Sequence, residues 1–180
     1  MTDFIEKYKP EEKVLGILRI AIGFIFLWPF LDKMFGLGFA TTPANSWLAG
    51  ASPTQGFLQI YGVNQNSPFA FIFSDALGSM YQIVDIAYMG MLLFAGLGLM
   101  TGILVRFSSI STIIFLVSVY LSEWIINPAA GTMVFNPLID EHIIYILVLG
   151  LFLIIPVGNY LGLGKKWSEL SFVQKFPILK

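Results

Sequence analysis

Apolar runs long enough to form membrane-crossing helices recur four times along the chain, at about residues 14–35, 81–105, 107–126 and 139–157. A helix rising 1.5 Å per residue needs about 20 residues to cross about 30 Å of hydrocarbon, and each run is of that order. The polar positions between the runs carry start and stop signals. Pro10, Glu11 and Glu12 form a helix opening in which proline tolerates the first turn and acids meet the positive end of the dipole. Gly36 and Gly38 close the first run, Asn127 and Pro128 the third, and Asn136 and Pro137 precede the fourth, with Pro156 and Gly158 near its end. The connection at Val105–Phe107 is so short that the second and third runs must form an antiparallel hairpin. The pattern predicts an all-α fold: a four-helix transmembrane bundle in a single domain, residues 1–180.

The segment from about 40 to 79 fits neither a span nor a solvated loop. It mixes breakers (Pro43, Pro53, Pro68, Gly50, Gly56, Gly62) with Trp47, Phe57, Leu58, Phe69, Phe71 and Phe73, and its only charge is Asp75. So long a connection is uncommon unless it is functional, and so aromatic a one does not stay in water. The expectation is a structured extracytoplasmic connection of short interfacial helices or a re-entrant flap.

Composition agrees with the pattern. Hydrophobic residues make up 57% and charged residues 12% of the chain, with mean hydropathy +0.80, against about 25% charged in soluble domains. Charge then sets orientation. With both termini in the cytoplasm, nine of the ten Lys and Arg residues lie inside and only Lys33 outside, in keeping with the positive-inside bias. The expected location is the cell membrane, with the lipid bilayer as first partner. Arg19, near the start of the first run, is expected to snorkel toward headgroups. Gly98 and Gly102 form a GxxxG pair, read mainly as helix contact within the bundle and secondarily as a homodimer surface.

Candidate chemistry collects toward the outer ends of the runs. Asp32 and Lys33, Asp85, Glu123, and Asp140, Glu141 and His142 bring ionisable groups from all four helices to similar depth. Acids within a membrane are expensive and usually face a cavity or a partner, which singles out Asp85, with Tyr81 and Gln82 on the adjoining turn. Asp85, Glu123, Asp140 and His142 are therefore candidate proton acceptors, weighed against simple snorkelling of span-end charges. Trp28, Tyr120 and Tyr145 share helical faces with Asp32, Glu123 and His142, so Trp28, Asp32, Lys33, Tyr81, Gln82, Tyr120 and Tyr145 form a candidate binding set. The absence of cysteine removes thiolate metal ligands and disulfide relays, no metal set is predicted, and no basic stripe points to nucleic acid.

Three stretches carry a resemblance: LRIAIGFIFLWPFLDKMFGLGF from Leu18, NSWLAGASPTQGFL from Asn45 and NPLIDEHIIYILVLG from Asn136. Together they resemble the DoxX/DoxD family of small four-span membrane proteins, which includes a subunit of a thiosulfate:quinone oxidoreductase. The resemblance implies the four-span fold, a redox-linked role, quinone as a possible cofactor and other membrane subunits as partners. Thiosulfate itself suits the outer cluster poorly, because one lysine among several carboxylates repels a dianion. Quinol fits better, since carboxylates and His142 can take up its protons. The competing expectations are a non-catalytic anchoring or assembly subunit of a respiratory or sulfur-metabolising complex and, third, a small-solute or ion carrier.

Overall fold

The computed structural model describes residues 9–61, 71, 80–123 and 138–179. Every regular element among them is helical. The chain enters helix α1 (Pro10–Phe35) with Pro10 in its first turn and Glu11 and Glu12 at the positive dipole end. α1 stops at Gly36, which adopts φ 65° and donates its N–H to the Asp32 carbonyl at 2.8 Å. A side chain there would be strained in conformation, and its Cβ would meet the Pro43 Cα at 2.5 Å, so glycine fixes this corner.

Single 3₁₀ turns at Pro43–Asn45 and Trp47–Ala49 follow, then the short helix α2 (Gln55–Tyr61). The expected connection of short helices is thus present up to Tyr61; residues 62–70 and 72–79, which complete it, lie outside the described residues. α3 (Tyr81–Thr101) ends at Gly102, again left-handed at φ 79°, and α4 (Val105–Glu123) starts three residues later. The antiparallel hairpin is as expected, but its turn falls at 102–104 rather than at 105–107, because Gly102 is the residue that can take the left-handed cap. α5 (Glu141–Ile154) is 14 residues, about 21 Å of helix, shorter than the run that predicted it. Ile155 is extended (φ −96°, ψ 133°) because the ring of Pro156 disfavours helical geometry in the residue before it. A 3₁₀ turn at Val157–Asn159 leads to two five-residue helices, α6 (Gly164–Ser168) and α7 (Ser171–Lys175), and a last turn at Pro177–Leu179.

α1 packs along α3, α3 along α4 and α4 along α5, while the edge of Phe26 on Tyr145 and the contact of α1 with the 157–159 turn close the arrangement. The four long helices share one core, to which Phe26, Phe30, Met89, Leu99, Leu116, Leu149 and Phe152 contribute. Close approach is made by small residues. Gly23 faces Met100, Gly96 faces Leu27, Gly98 lies against Ser108 Oγ, and Gly102 meets Gly158 backbone to backbone. Among the described residues, α1 and α3 are long and apolar enough to cross a membrane; Val105–Leu121 and α5 are apolar but shorter.

Arg19 overturns one expectation. Instead of reaching out along the helix surface it is fully buried, and its guanidinium donates to the carbonyls of Val157 (Nε, 3.1 Å), Met100 (Nη1, 2.9 Å), Leu99 (Nη1), Tyr160 (Nη2, 3.0 Å) and Leu161 (Nη2, 3.2 Å). Leu99 and Met100 lie in the last turn of α3, where helix carbonyls have no partner of their own. One guanidinium therefore satisfies all five of its N–H donors while capping α3 and tying α1 to the turn after α5.

Candidate functional site

At the other end of the bundle, where α1 and α4 finish and α3 and α5 begin, the residues around the connection enclose a cavity of about 470 Å³. Lys33 comes from the last turn of α1, Thr54 and Phe57 from the connection and α2, Tyr88 from α3, Phe115 from α4 and His142 from α5. The size falls in the range of small-molecule sites, and the wall is largely apolar with a few polar groups.

Two buried aspartates build the roof. Asp85 is 4% exposed, and its Oδ1 accepts from Ser52 Oγ (2.8 Å), Thr54 N (3.1 Å) and Thr54 Oγ1 (2.6 Å). Ser52 Oγ also accepts from Gln55 N at 3.1 Å, so the same cluster opens α2. Asp32 is 2% exposed and accepts from the backbone N–H of Phe39 (3.3 Å) and Ala40 (2.9 Å), which folds the chain back over the end of α1. Charge-assisted bonds to backbone and hydroxyl donors compensate both carboxylates for burial. Neither side chain lies on the cavity wall; each holds a segment that does.

His142 is positioned by its own helix start. Asp140 is the N-cap of α5, accepting from the N–H groups of His142 (3.0 Å) and Ile143 (3.3 Å) on Oδ1, while Oδ2 contacts His142 Nδ1 at 2.8 Å. The carboxylate fixes the ring and occupies Nδ1, so Nε2 is the nitrogen that the imidazole can offer to the cavity. With Lys33, the site then combines a cation, a histidine backed by a carboxylate, and aromatic faces. Such a set can hold a planar polar head group and take a proton from it.

The sequence-predicted residues are thus divided. Lys33 and His142 both line the cavity; Asp32, Asp85 and Asp140 do not line it but hold residues that do. Tyr81 and Gln82 are exposed and bonded weakly to each other (3.4 Å), not to Asp85. Trp28 packs between Phe24 and Phe39, with ring centroids at 5.7 and 4.9 Å, Tyr120 donates to the Leu138 carbonyl at 3.0 Å, and Tyr145 packs into the core. The Glu123 side chain lies outside the described residues. Tyr88 and Phe115, whose rings meet at 5.6 Å on the cavity wall, are lining residues that the sequence did not single out. A signal existed: Tyr88 follows Asp85 by three residues and so shares its helical face. Among the described residues no group of three or more His, Asp or Glu side chains is placed to hold a metal ion.

No family model, no curated protein and no solved structure matches the chain.

Proposed function

We propose that the protein is a four-span membrane subunit, both termini cytoplasmic, that binds the head group of a quinone or quinol in the Lys33–His142 cavity and works in a redox assembly of the DoxX/DoxD type. Membrane embedding is supported by the outward faces of the helices, where Val14, Ile17 and Phe24 of α1, Ile83 and Ile86 of α3, Ile114 of α4 and Leu147 of α5 are all exposed. Helices apolar on both faces belong in hydrocarbon. The observation that carries the functional reading is the meeting of Lys33, His142 and the Tyr88–Phe115 pair around one cavity.

The residues present fit such a group. Phe57, Tyr88 and Phe115 offer ring faces, the Lys33 ammonium is a donor for a carbonyl oxygen, and His142 Nε2 can accept a hydroxyl proton. A bound quinol would supply two electrons, passed to a carrier in a partner subunit, and two protons, one to His142 and the other to water at the mouth of the cavity. His142 would accept one proton at Nε2, with Asp140 stabilising the resulting imidazolium through Nδ1–H. Lys33 would donate to the oxygen on which negative charge develops.

Titration of the purified protein with a short-chain quinone by calorimetry tests the reading. His142→Gln and Lys33→Met should each weaken binding by about tenfold, the loss of roughly one charge-assisted hydrogen bond. Unchanged affinity in both variants removes the quinone site.

An anchoring or assembly subunit is the second reading. It is favoured by the roof itself: Asp32 and Asp85 hold a connection that presents Phe39 (73% exposed) and Leu48 (70% exposed) outward, a surface suited to a partner subunit. Stoichiometric co-purification with a membrane complex, without quinone binding, supports this alternative.

A further inference from the structure

We infer that the opposite end of the bundle holds the head group of an anionic phospholipid. The inference goes beyond the quinone site and rests only on the membrane-embedded part of the proposal. A second cavity, of about 480 Å³, opens between the start of α4, the end of α5 and the C-terminal segment. It sits at the end that gathers Lys13, Arg106, Lys165, Lys166 and Lys175, which the charge pattern assigns to the cytoplasm.

One cation lines this space. Arg106 lies on its wall, exposed and with no ion pair among the described residues. Arg19 does not line it, but its Nε donates to the carbonyl of Val157, a lining residue. All of Arg19's hydrogen-bond partners are neutral carbonyls, so a guanidinium that keeps its charge is buried without a carboxylate among its contacts. The carbonyl dipoles, two of them at the negative end of α3, meet the Arg19 charge, so the positive field at this cavity is set by Arg106 and the lysines of the same end, and low-dielectric walls focus it. The described acids of this end do not cancel it. Glu12 is paired with Lys9 at 3.1 Å, and neither Glu11 nor Glu169 lines the cavity.

The rest of the lining suits a lipid rather than a free anion. Asn159, Ser168 and Gln174 supply polar side chains at the rim, while Phe152 and Ile155 give an apolar wall on the bundle side. In the C-terminal segment that supplies part of this lining, Leu161, Leu163, Phe172 and Phe176 are exposed, as are Lys165, Lys166 and Lys175. Apolar side chains interleaved with lysines on short helices are the pattern of a segment lying in the interface of an anionic leaflet. A phosphodiester at the cavity mouth would take the planar donor fork of Arg106, with its acyl chains running along the exposed faces of α4 and α5.

The test is native mass spectrometry of the full chain in mild detergent, titrated with phosphatidylglycerol or phosphatidylcholine, for the wild type, Arg106→Gln and Lys13→Gln. Lys13 is an exposed lysine at the same end that does not line the cavity. The expected result is one phosphatidylglycerol retained per chain with at least about a tenfold preference over phosphatidylcholine, lost in Arg106→Gln and kept in Lys13→Gln. Inorganic phosphate at millimolar concentration should not displace the lipid. No head-group preference, an unchanged Arg106→Gln, an equal fall in Lys13→Gln, or displacement by phosphate alone would each overturn the inference. Because quinone affinity is read on other variants, His142→Gln and Lys33→Met at the opposite end of the bundle, failure here leaves the Lys33–His142 reading standing, and the reverse also holds.

Discussion

Replacing Arg19 by methionine keeps a long apolar stem and removes the guanidinium, leaving the carbonyls of Leu99, Met100, Val157, Tyr160 and Leu161 without that donor. Five charge-assisted hydrogen bonds at about 1.5–3 kcal/mol each would sum to roughly 7–15 kcal/mol, as much as a whole domain's stability. The true loss is smaller, because the backbone relaxes and water reaches the helix end once the side chain is gone. Removing one partner from a buried charged network typically costs about 3–5 kcal/mol, and that is the value expected here. At about 2–4 °C per kcal/mol for a chain of this size, the melting temperature in detergent should fall by about 6–20 °C. Arg19→Lys keeps the charge but offers a compact ammonium in place of a planar fork, so it should recover only part of the loss. Circular dichroism or a dye-free fluorescence melt measures both variants. A methionine variant within about 1 kcal/mol of wild type would show that the five carbonyls find other donors and that the guanidinium is not the clasp of this end.

Asp85→Asn retains an acceptor but loses the charge that meets three donors, so hydrogen exchange at Thr54 N–H should rise by about one to two powers of ten while α3 exchange is unchanged; equal protection would remove the aspartate as the strap of the connection. Gly158→Ala places a Cβ 2.5 Å from the Gly102 carbonyl oxygen and should destabilise by about 1–3 kcal/mol, whereas Gly150→Ala, with nothing within 4 Å in mid-α5, should be neutral or stabilising by up to about 1 kcal/mol. Similar melting temperatures for these two variants would contradict the backbone contact between Gly102 and Gly158.

The sequence made the long helices legible because apolar runs and breakers are local signals: Pro10, Gly36 and Pro156 act on their own neighbours. Arg19 was misplaced for the converse reason. Its partners are main-chain carbonyls 80 to 142 positions away, in residues whose side chains carry no polar atom to advertise them, apart from Tyr160. Asp85 was legible halfway: a buried acid needs a partner, but the partners came from the connection through Ser52 and Thr54, not from the neighbouring turn of its own helix. Hydroxyl residues in an otherwise apolar loop were the available clue. At the cavity, His142 and Lys33 stood out as charges, while Tyr88 and Phe115 looked like two more aromatic residues among many, because which aromatic pair lines a wall depends on the rotation of α3 against α4.

The clasp around Arg19 also dictates a timetable. In a chain threaded into a membrane from its N-terminus, α1 arrives with its guanidinium while the residues that will receive it, up to Leu161, have yet to be synthesised. The first three helices alone therefore cannot reach a finished state. On the membrane embedding proposed above, a cation is stranded near the bilayer until the last turn emerges, and truncated products ending before it should be substrates for membrane quality control.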